Sequence, residues 1–211
     1  MKTLIALPCM DTVHTVFFKS MLGLQWAGDV AFGITASSLI YDARNTLAKQ
    51  AIDEQCDRVL FIDSDMEFGP DAMQRLAADM DTGLDYVSGI FFTRKAPVRP
   101  CIYEKLGYFE RSEKEIAPIA LNYNEYPKDQ LFEIAASGLA FTMISVDALK
   151  EVQAKFGLPF SPMPGFGEDL SFCGRMQQLG RKMYCDSRVK IGHLGLGAIT
   201  ESVYLAGRGT R

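Results

Sequence analysis

Arg58-Val-Leu-Phe-Ile-Asp63-Ser-Asp65-Met-Glu-Phe68 is an apolar run of strand character that stops at two carboxylates spaced two residues apart. Alternate residues of an extended segment point the same way, so Asp63 and Asp65 are expected to face one crevice from the end of a buried strand. In an open α/β sheet that strand end is where ligands bind. Two carboxylates so placed repel each other unless a cation or a hydrogen-bond network compensates them, and a divalent ion bridging a diphosphate would do so. The same two acids are also suited to begin a turn or to cap the helix that follows Pro70.

Outward from this stretch, strand and helix signals alternate. Lys2 to Leu7 reads as a first strand ended by Pro8, and Asp11 to Leu24 carries Val13, Val16, Phe17, Met21 and Leu24 at helical spacing, with Asp11 or Thr12 as cap. Ala31 to Ile40 is extended, and Tyr41 to Gln55 reads as a helix with Ala43, Leu47, Ala48, Ala51 and Ile52 inward. Gly69-Pro70-Asp71 opens a helix over Ala72 to Met80, with proline early, where its missing N–H costs nothing. Asp85 to Phe92 is a strand rich in β-branched and aromatic residues. This order predicts an α/β fold with a mostly parallel central sheet and helices on both faces.

From Thr93 to Gln130 the pattern breaks down into prolines, tyrosines and mixed charge, with Arg94, Lys95, Arg99 and Arg111 among Tyr103, Tyr108, Tyr123 and Tyr126. A segment this long without periodicity is usually functional or partly disordered. Leu131 to Ser145 is apolar again around Ala135-Ala-Ser-Gly138, where glycine in strand-like sequence suggests close approach by a ligand or another backbone. Val146 to Phe156 and Glu168 to Leu179 read as helices flanking a loop dense in proline and glycine. Lys182 to Ile191 then leads to His193.

The 211 residues suffice for one well-buried core, and a single domain over 1–211 is expected. A formal charge of -4 with mixed signs gives no broad basic field, which argues against sequence-independent binding to nucleic acid or an anionic membrane. Met1 to Leu7 is too short for a signal-peptide core, and no later segment reaches spanning length, so no membrane span and a soluble, cytoplasmic protein are expected. Cys9, Cys56, Cys101, Cys173 and Cys185 include no Cys-x-x-Cys pair. They are expected as reduced thiols, mostly in the core.

The second informative stretch is Gly165-Phe-Gly-Glu168-Asp169-Leu-Ser-Phe-Cys-Gly-Arg175, followed at a distance by His193. Together with Asp63-Ser64-Asp65 it resembles the nucleotide-sugar-dependent glycosyltransferases of the GT-A fold, particularly the large family-two group and its relatives. That group shows strand-terminal Asp-x-Asp and then Glu-Asp-x-x-Phe-x-x-Arg at the start of a late helix, in this order, and the resemblance covers most of the chain. It implies metal-dependent transfer of a sugar from a nucleotide-diphosphate sugar to an acceptor hydroxyl of a glycan, protein or modified nucleobase. Inversion is the expected stereochemistry, with retention left open.

By the resemblance, Asp65 coordinates the ion, Asp63 contacts ribose or the metal through water, Ser64 lies with them against the nucleotide, and His193 is a third metal ligand. Imidazole together with carboxylate favours Mn²⁺ over Mg²⁺. Asp169 takes the proton from the acceptor hydroxyl, with Glu168 orienting acceptor or backbone. Placed at a helix N-terminus, Asp169 is expected to stay ionised at neutral pH. Arg44 would suit phosphate or base carbonyl oxygens. Pro8 would border the base pocket with Asp11 as a hydrogen-bond partner, Ser137 and Gly138 would line the donor-sugar or acceptor site, and Arg175 would meet phosphate or a neighbouring acid. The donor-binding part would be about 1–92, and about 93–211 would serve the acceptor.

Two other classes stay open. A nucleotidyltransferase on a similar sheet needs a glycine-rich, basic loop after the first strand, which Pro8-Cys-Met-Asp-Thr12 does not supply. A non-catalytic nucleotide-sugar binder would keep the pocket without turnover.

Overall fold

The computed structural model describes residues 1–10, 12–112, 115–195 and 198–208. Its first half runs β1 (Lys2–Cys9), α1 (Thr15–Gly23), β2 (Asp29–Ala36), α2 (Ile40–Asp53), β3 (Arg58–Ile62), β4 (Met66–Glu67), α3 (Ala72–Met80) and β5 (Tyr86–Ile90). There follow β6 (Ile102–Ser112), β7 (Glu115–Asn122), β8 (Leu131–Ile134), β9 (Ala136–Ser137), β10 (Phe141–Ser145), α4 (Val146–Phe156) and α5 (Glu168–Gln178). Last come β11 (Met183–Lys190), β12 (Gly192–Leu194), β13 (Ala198–Ile199) and α6 (Glu201–Arg208).

Single strands feed two hydrophobic cores on opposite faces of one sheet. Along β1, Leu4 and Ala6 enter one core while Ile5 and Leu7 enter the other, and along β3 Val59 and Phe61 part from Leu60 and Ile62 in the same way. This is the period-two alternation of a strand covered on both faces, and it explains why the sequence there is apolar throughout. The first core is closed by α2 (Leu47, Ala48, Ala51), α4 and α5, the second by α1 and α3 (Met73, Leu76, Met80). Ser145 caps α4 by accepting the Ala148 N–H at 3.1 Å, and Gly157 ends that helix at φ +81°, where a side chain would be strained.

The central sheet has seven strands in the order β2-β1-β3-β10-β5-β11-β8. Five strands run in one direction, in keeping with the expected mostly parallel arrangement, and β10 and β8 run against them, so the sheet is mixed. β2, β1 and β3 run parallel, as do β5 and β11, whereas β10 is antiparallel to both β3 and β5, and β8 is antiparallel to β11. Parallel neighbours need a crossover, usually a helix. Between β5 and β10 the chain makes a hairpin excursion instead, and β10 enters against its neighbours. Its first residue, Phe141, therefore pairs with Ile62, the last of β3, so the residues preceding β10 reach the same rim as the carboxyl ends of β3 and β5.

The stretch from Thr93 to Gln130 is largely this hairpin. β6 and β7 pair antiparallel, and β9 completes a second, three-stranded sheet. Glu104, Lys105, Tyr108 and Phe109 are exposed along β6, and mixing polar with aromatic side chains on an open strand hides the period-two signal. α1 starts at Thr15, later than expected, with His14 at its N-cap and no side-chain cap; Thr12 precedes the helix, and Asp11 lies outside the described residues. All five cysteines are free, with Cys56, Cys173 and Cys185 buried. Among the described residues no helix is long and apolar enough to cross a membrane.

Candidate active site

Immediately after β3, Asp63 to Met66 form a tight turn. The Met66 N–H donates to the Asp63 carbonyl at 3.3 Å, and the Asp63 N–H donates to the Ala140 carbonyl at 2.9 Å, tying the turn to the residue before β10. Ser64 is half-buried at the tip. Two-residue spacing puts side chains on one side only in extended backbone; in a turn the carboxylates diverge. The expected common crevice is thus replaced by two neighbouring sites, one around Asp63 and one around Asp65.

On the Asp63 side stands Arg44, from the second turn of α2, with its side chain only 2% exposed. Its Nη2 donates to Asp63 Oδ1 at 2.8 Å, its Nε donates to Glu168 Oε1 at 3.2 Å, and its guanidinium lies over the Phe61 ring, 5.4 Å from the centroid. Arg44 therefore clamps the early acidic turn to the first residue of α5, rather than offering an open phosphate contact, although its buried Nη1 has no partner. Glu168 is correspondingly engaged with Arg44. Burial raises the Asp63 carboxyl above its ordinary range; Arg44 opposes this, and the charges of Asp65 and Glu168 add to it.

Asp169 follows Glu168 in the first turn of α5, and its Oδ1 accepts the Leu170 N–H at 2.7 Å. Burial, then the neighbouring Glu168 charge, push its pKa up to about 6 against the pull of that N–H and of Arg44. Desolvation thus outweighs the helix-terminus effect, making Asp169 a stronger proton acceptor than an ordinary aspartate. Gly138 lies beside it: a Cβ there would stand 2.9 Å from the Phe91 ring and 3.7 Å from Asp169 Oδ2. The missing side chain lets the Phe91 ring and the Asp169 carboxylate close on the backbone.

Three other expected residues are placed elsewhere. Ser137 is a core hydroxyl, 2.7 Å from the Tyr86 hydroxyl. Arg175 is buried and donates from Nη1 to the Pro159 carbonyl at 3.0 Å, holding the loop before α5. Pro8 is buried within β1, opposite Thr35 of β2. Asp11, expected beside it, lies outside the described residues.

On the Asp65 side, β12 pairs with β4 so that His193 stands opposite Met66, and the Leu194 N–H donates to the Asp65 carbonyl at 2.8 Å. This places His193 Nε2 3.5 Å from Asp65 Oδ2. His193 Nδ1 lies 2.7 Å from the Phe92 carbonyl oxygen. A carbonyl only accepts, so Nδ1 carries a proton and donates it there, which fixes the ring with Nε2 toward the carboxylate. Arg94, two residues beyond Phe92, reaches the same oxygen: its Nη1 is 2.7 Å from Asp65 Oδ2. Burial would raise the Asp65 carboxyl, but His193 and Arg94 together hold it below its ordinary range. Sequence reading named Arg94 only as one basic residue of the Thr93 to Gln130 segment. The strand-end rule, applied to β5 as it was to β3, would have singled it out.

The three-ligand set of Asp63, Asp65 and His193 is not assembled. Among the described residues no group of three or more His, Cys, Asp or Glu converges to hold a metal ion, because Asp63 turns to Arg44. The remaining pair does fit a cation: one carboxylate oxygen and one imidazole nitrogen suit a borderline ion such as Mn²⁺. A histidine anchored through its other nitrogen to a carbonyl is oriented as metal ligands are.

No protein-family model matches the chain, and no curated protein matches it. Among solved structures, the crystal structure of A197 from STIV is similar over 92% of this chain and 86% of that chain, with a TM-score of 0.66 and 19% sequence identity. At that identity the likeness shows a shared α/β fold.

Proposed function

We propose that this protein is a metal-dependent glycosyltransferase of GT-A type, moving a sugar from a nucleotide-diphosphate sugar to an acceptor hydroxyl with inversion. The observation that carries the proposal is the approach of His193 Nε2 to Asp65 Oδ2 at 3.5 Å, with Nδ1 fixed on the Phe92 carbonyl, at the carboxyl-end rim of the sheet. The opposite displacements of two carboxyls support it: Asp65 is held low, as an ionised ligand should be, and Asp169 is raised, as a proton acceptor should be.

Asp65 and His193 would hold the divalent cation, which would supply positive charge against that growing on the departing diphosphate. The acceptor oxygen bonds to the anomeric carbon as that carbon's bond to the diphosphate oxygen breaks. Asp169 accepts the hydroxyl proton, and a nucleoside diphosphate departs. Arg44, bonded to Asp63 and Glu168, keeps the acidic turn and the start of α5 in fixed relation. It thereby sets the spacing between Asp65 and Asp169.

A thermal-shift panel of nucleoside diphosphates and nucleotide sugars, each with and without Mn²⁺, tests the proposal. A ligand present at a hundredfold its Kd stabilises the folded state by about 2.7 kcal/mol. The expected result is a rise in Tm with one base, dependent on Mn²⁺ and lost in Asp65→Asn. No shift with any member of the panel overturns the proposal.

A further inference from the structure

We infer that Arg94 is an internal competitor for the cation, so that the protein holds a divalent ion weakly by itself and takes it up together with a nucleoside diphosphate. The inference rests on the proposed role of Asp65 and His193. It adds a coupling between two ligands that those residues alone do not provide.

The Arg94 guanidinium and the His193 imidazole converge on a single oxygen. Arg94 Nη1 lies 2.7 Å from Asp65 Oδ2, and His193 Nε2 lies 3.5 Å from the same atom. Oδ2 is the oxygen that faces His193 Nε2, so an ion shared between Asp65 and His193 would bind there, where the guanidinium already stands. Both are positively charged, and they cannot occupy one carboxylate oxygen together without strong repulsion. The ion therefore enters only as Arg94 leaves.

The surrounding loop allows departure of the side chain without refolding of the backbone. The Thr93 N–H donates to the Arg99 carbonyl at 2.9 Å, and the Arg99 N–H donates to Thr93 Oγ1 at 3.1 Å, closing the neck of the loop. Within that neck the Arg94 side chain is 50% exposed, whereas Asp65 is 23% exposed and His193 15%. Rotation about the arginine's own bonds thus frees the carboxylate. The released guanidinium is a planar fork suited to two phosphate oxygens, and a diphosphate brought to Asp65 by the ion would stand within its reach. Arg94 exchanges one anion for another, and each ligand favours the arrangement that the other requires.

Binding of Mn²⁺ alone to the full chain, read from loss of the electron paramagnetic resonance signal of the free aqua ion, tests this without turnover. Arg94→Gln is expected to bind Mn²⁺ about tenfold tighter than the parent, as removal of one cation from a partly exposed carboxylate should allow. Arg94→Lys, which keeps the charge, should stay near the parent value. Asp65→Asn combined with Arg94→Gln should lose the gain. Equal Mn²⁺ affinity in the parent and Arg94→Gln, with binding abolished by Asp65→Asn, overturns the competitor while leaving Asp65 as a cation ligand. Absence of Mn²⁺ binding in the parent and in Arg94→Gln alike overturns both the competitor and the cation site.

Discussion

Arg44 Nη2 lies 2.8 Å from Asp63 Oδ1, and the same guanidinium reaches Glu168, 124 residues further along the chain. Removing it in Arg44→Ala leaves two largely buried carboxylates without their counter-charge. Breaking a buried pair in this way typically destabilises by about 3–5 kcal/mol, and a loss of that size in the unfolding free energy from urea titration is expected. Arg44→Lys should recover only part of it, because a single ammonium cannot form the fork that serves two acids. A loss below about 1 kcal/mol in Arg44→Ala would show the clamp to be energetically neutral, in the manner of exposed pairs.

Asp169 links stability to pH with a sign opposite to that of a salt-bridged aspartate. Its pKa rises from the ordinary 3.8 to about 6, so the folded chain holds this proton more tightly than the unfolded chain. The stability it contributes is fully present below about pH 4 and lost as pH rises through about 6, a difference of roughly 3 kcal/mol. Asp169→Asn should therefore unfold at higher denaturant concentration than the parent at pH 7.5, with the gap closing toward pH 4. Asp79 is raised too, by burial and by the adjacent Asp186 charge, so the difference between variant and parent isolates Asp169.

The same residue sets the expected pH profile of transfer. If Asp169 accepts the acceptor's proton, kcat/KM falls below about pH 6 and is level above it, and Asp169→Asn loses transfer while still binding donor. A profile flat from pH 5 to 8 would remove Asp169 from the proton transfer.

Gly138 has no room for a methyl group. Its Cβ would meet the Phe91 ring at 2.9 and 3.2 Å. Gly138→Ala should cost about 1–3 kcal/mol by overpacking, and adding Phe91→Leu should return part of it. Additive losses in the double variant would place the strain elsewhere.

His193→Gln should reduce Mn²⁺ affinity at least about tenfold while leaving Tm close to that of the parent, since the side chain is only partly enclosed and its loss opens no core cavity. Calorimetric titration with Mn²⁺ checks it. Unchanged affinity would place the ion away from Nε2.

Much of the frame was legible from side-chain periodicity. The apolar stripe Ala43, Leu47, Ala48, Ala51 and Ile52 pointed to α2, the Gly69-Pro70-Asp71 start pointed to α3, and the unbroken run of β3 pointed to a buried strand. Strand direction was not legible. Nothing in Phe141 to Ser145 distinguishes a strand entered through a crossover helix from one entered after a hairpin. The site was legible as a set of residues and not as an arrangement. Spacing placed Asp63 and Asp65 together only on the assumption of extended backbone, and the hydrogen bond from Met66 to Asp63 sends them to different partners. Arg44 and Arg94 resisted reading because an arginine's role depends on which acids the tertiary fold brings to it, and Glu168 and Asp65 are supplied by other elements.

The reversed direction of β10 has a bearing on how such a protein can vary. The β6–β7 excursion leaves the rim after β5 and comes back to it before β10: Phe92 bridges to Pro100, and the Gly138 N–H donates to the Cys101 carbonyl at 3.0 Å. Its roots are stitched together, and the β6–β7 hairpin itself carries no strand of the central sheet, whose edge strand β8 follows it in the chain. That appendage can grow, shrink or change its surface with the order of the seven strands untouched. Variation in length and surface has a natural home in that hairpin.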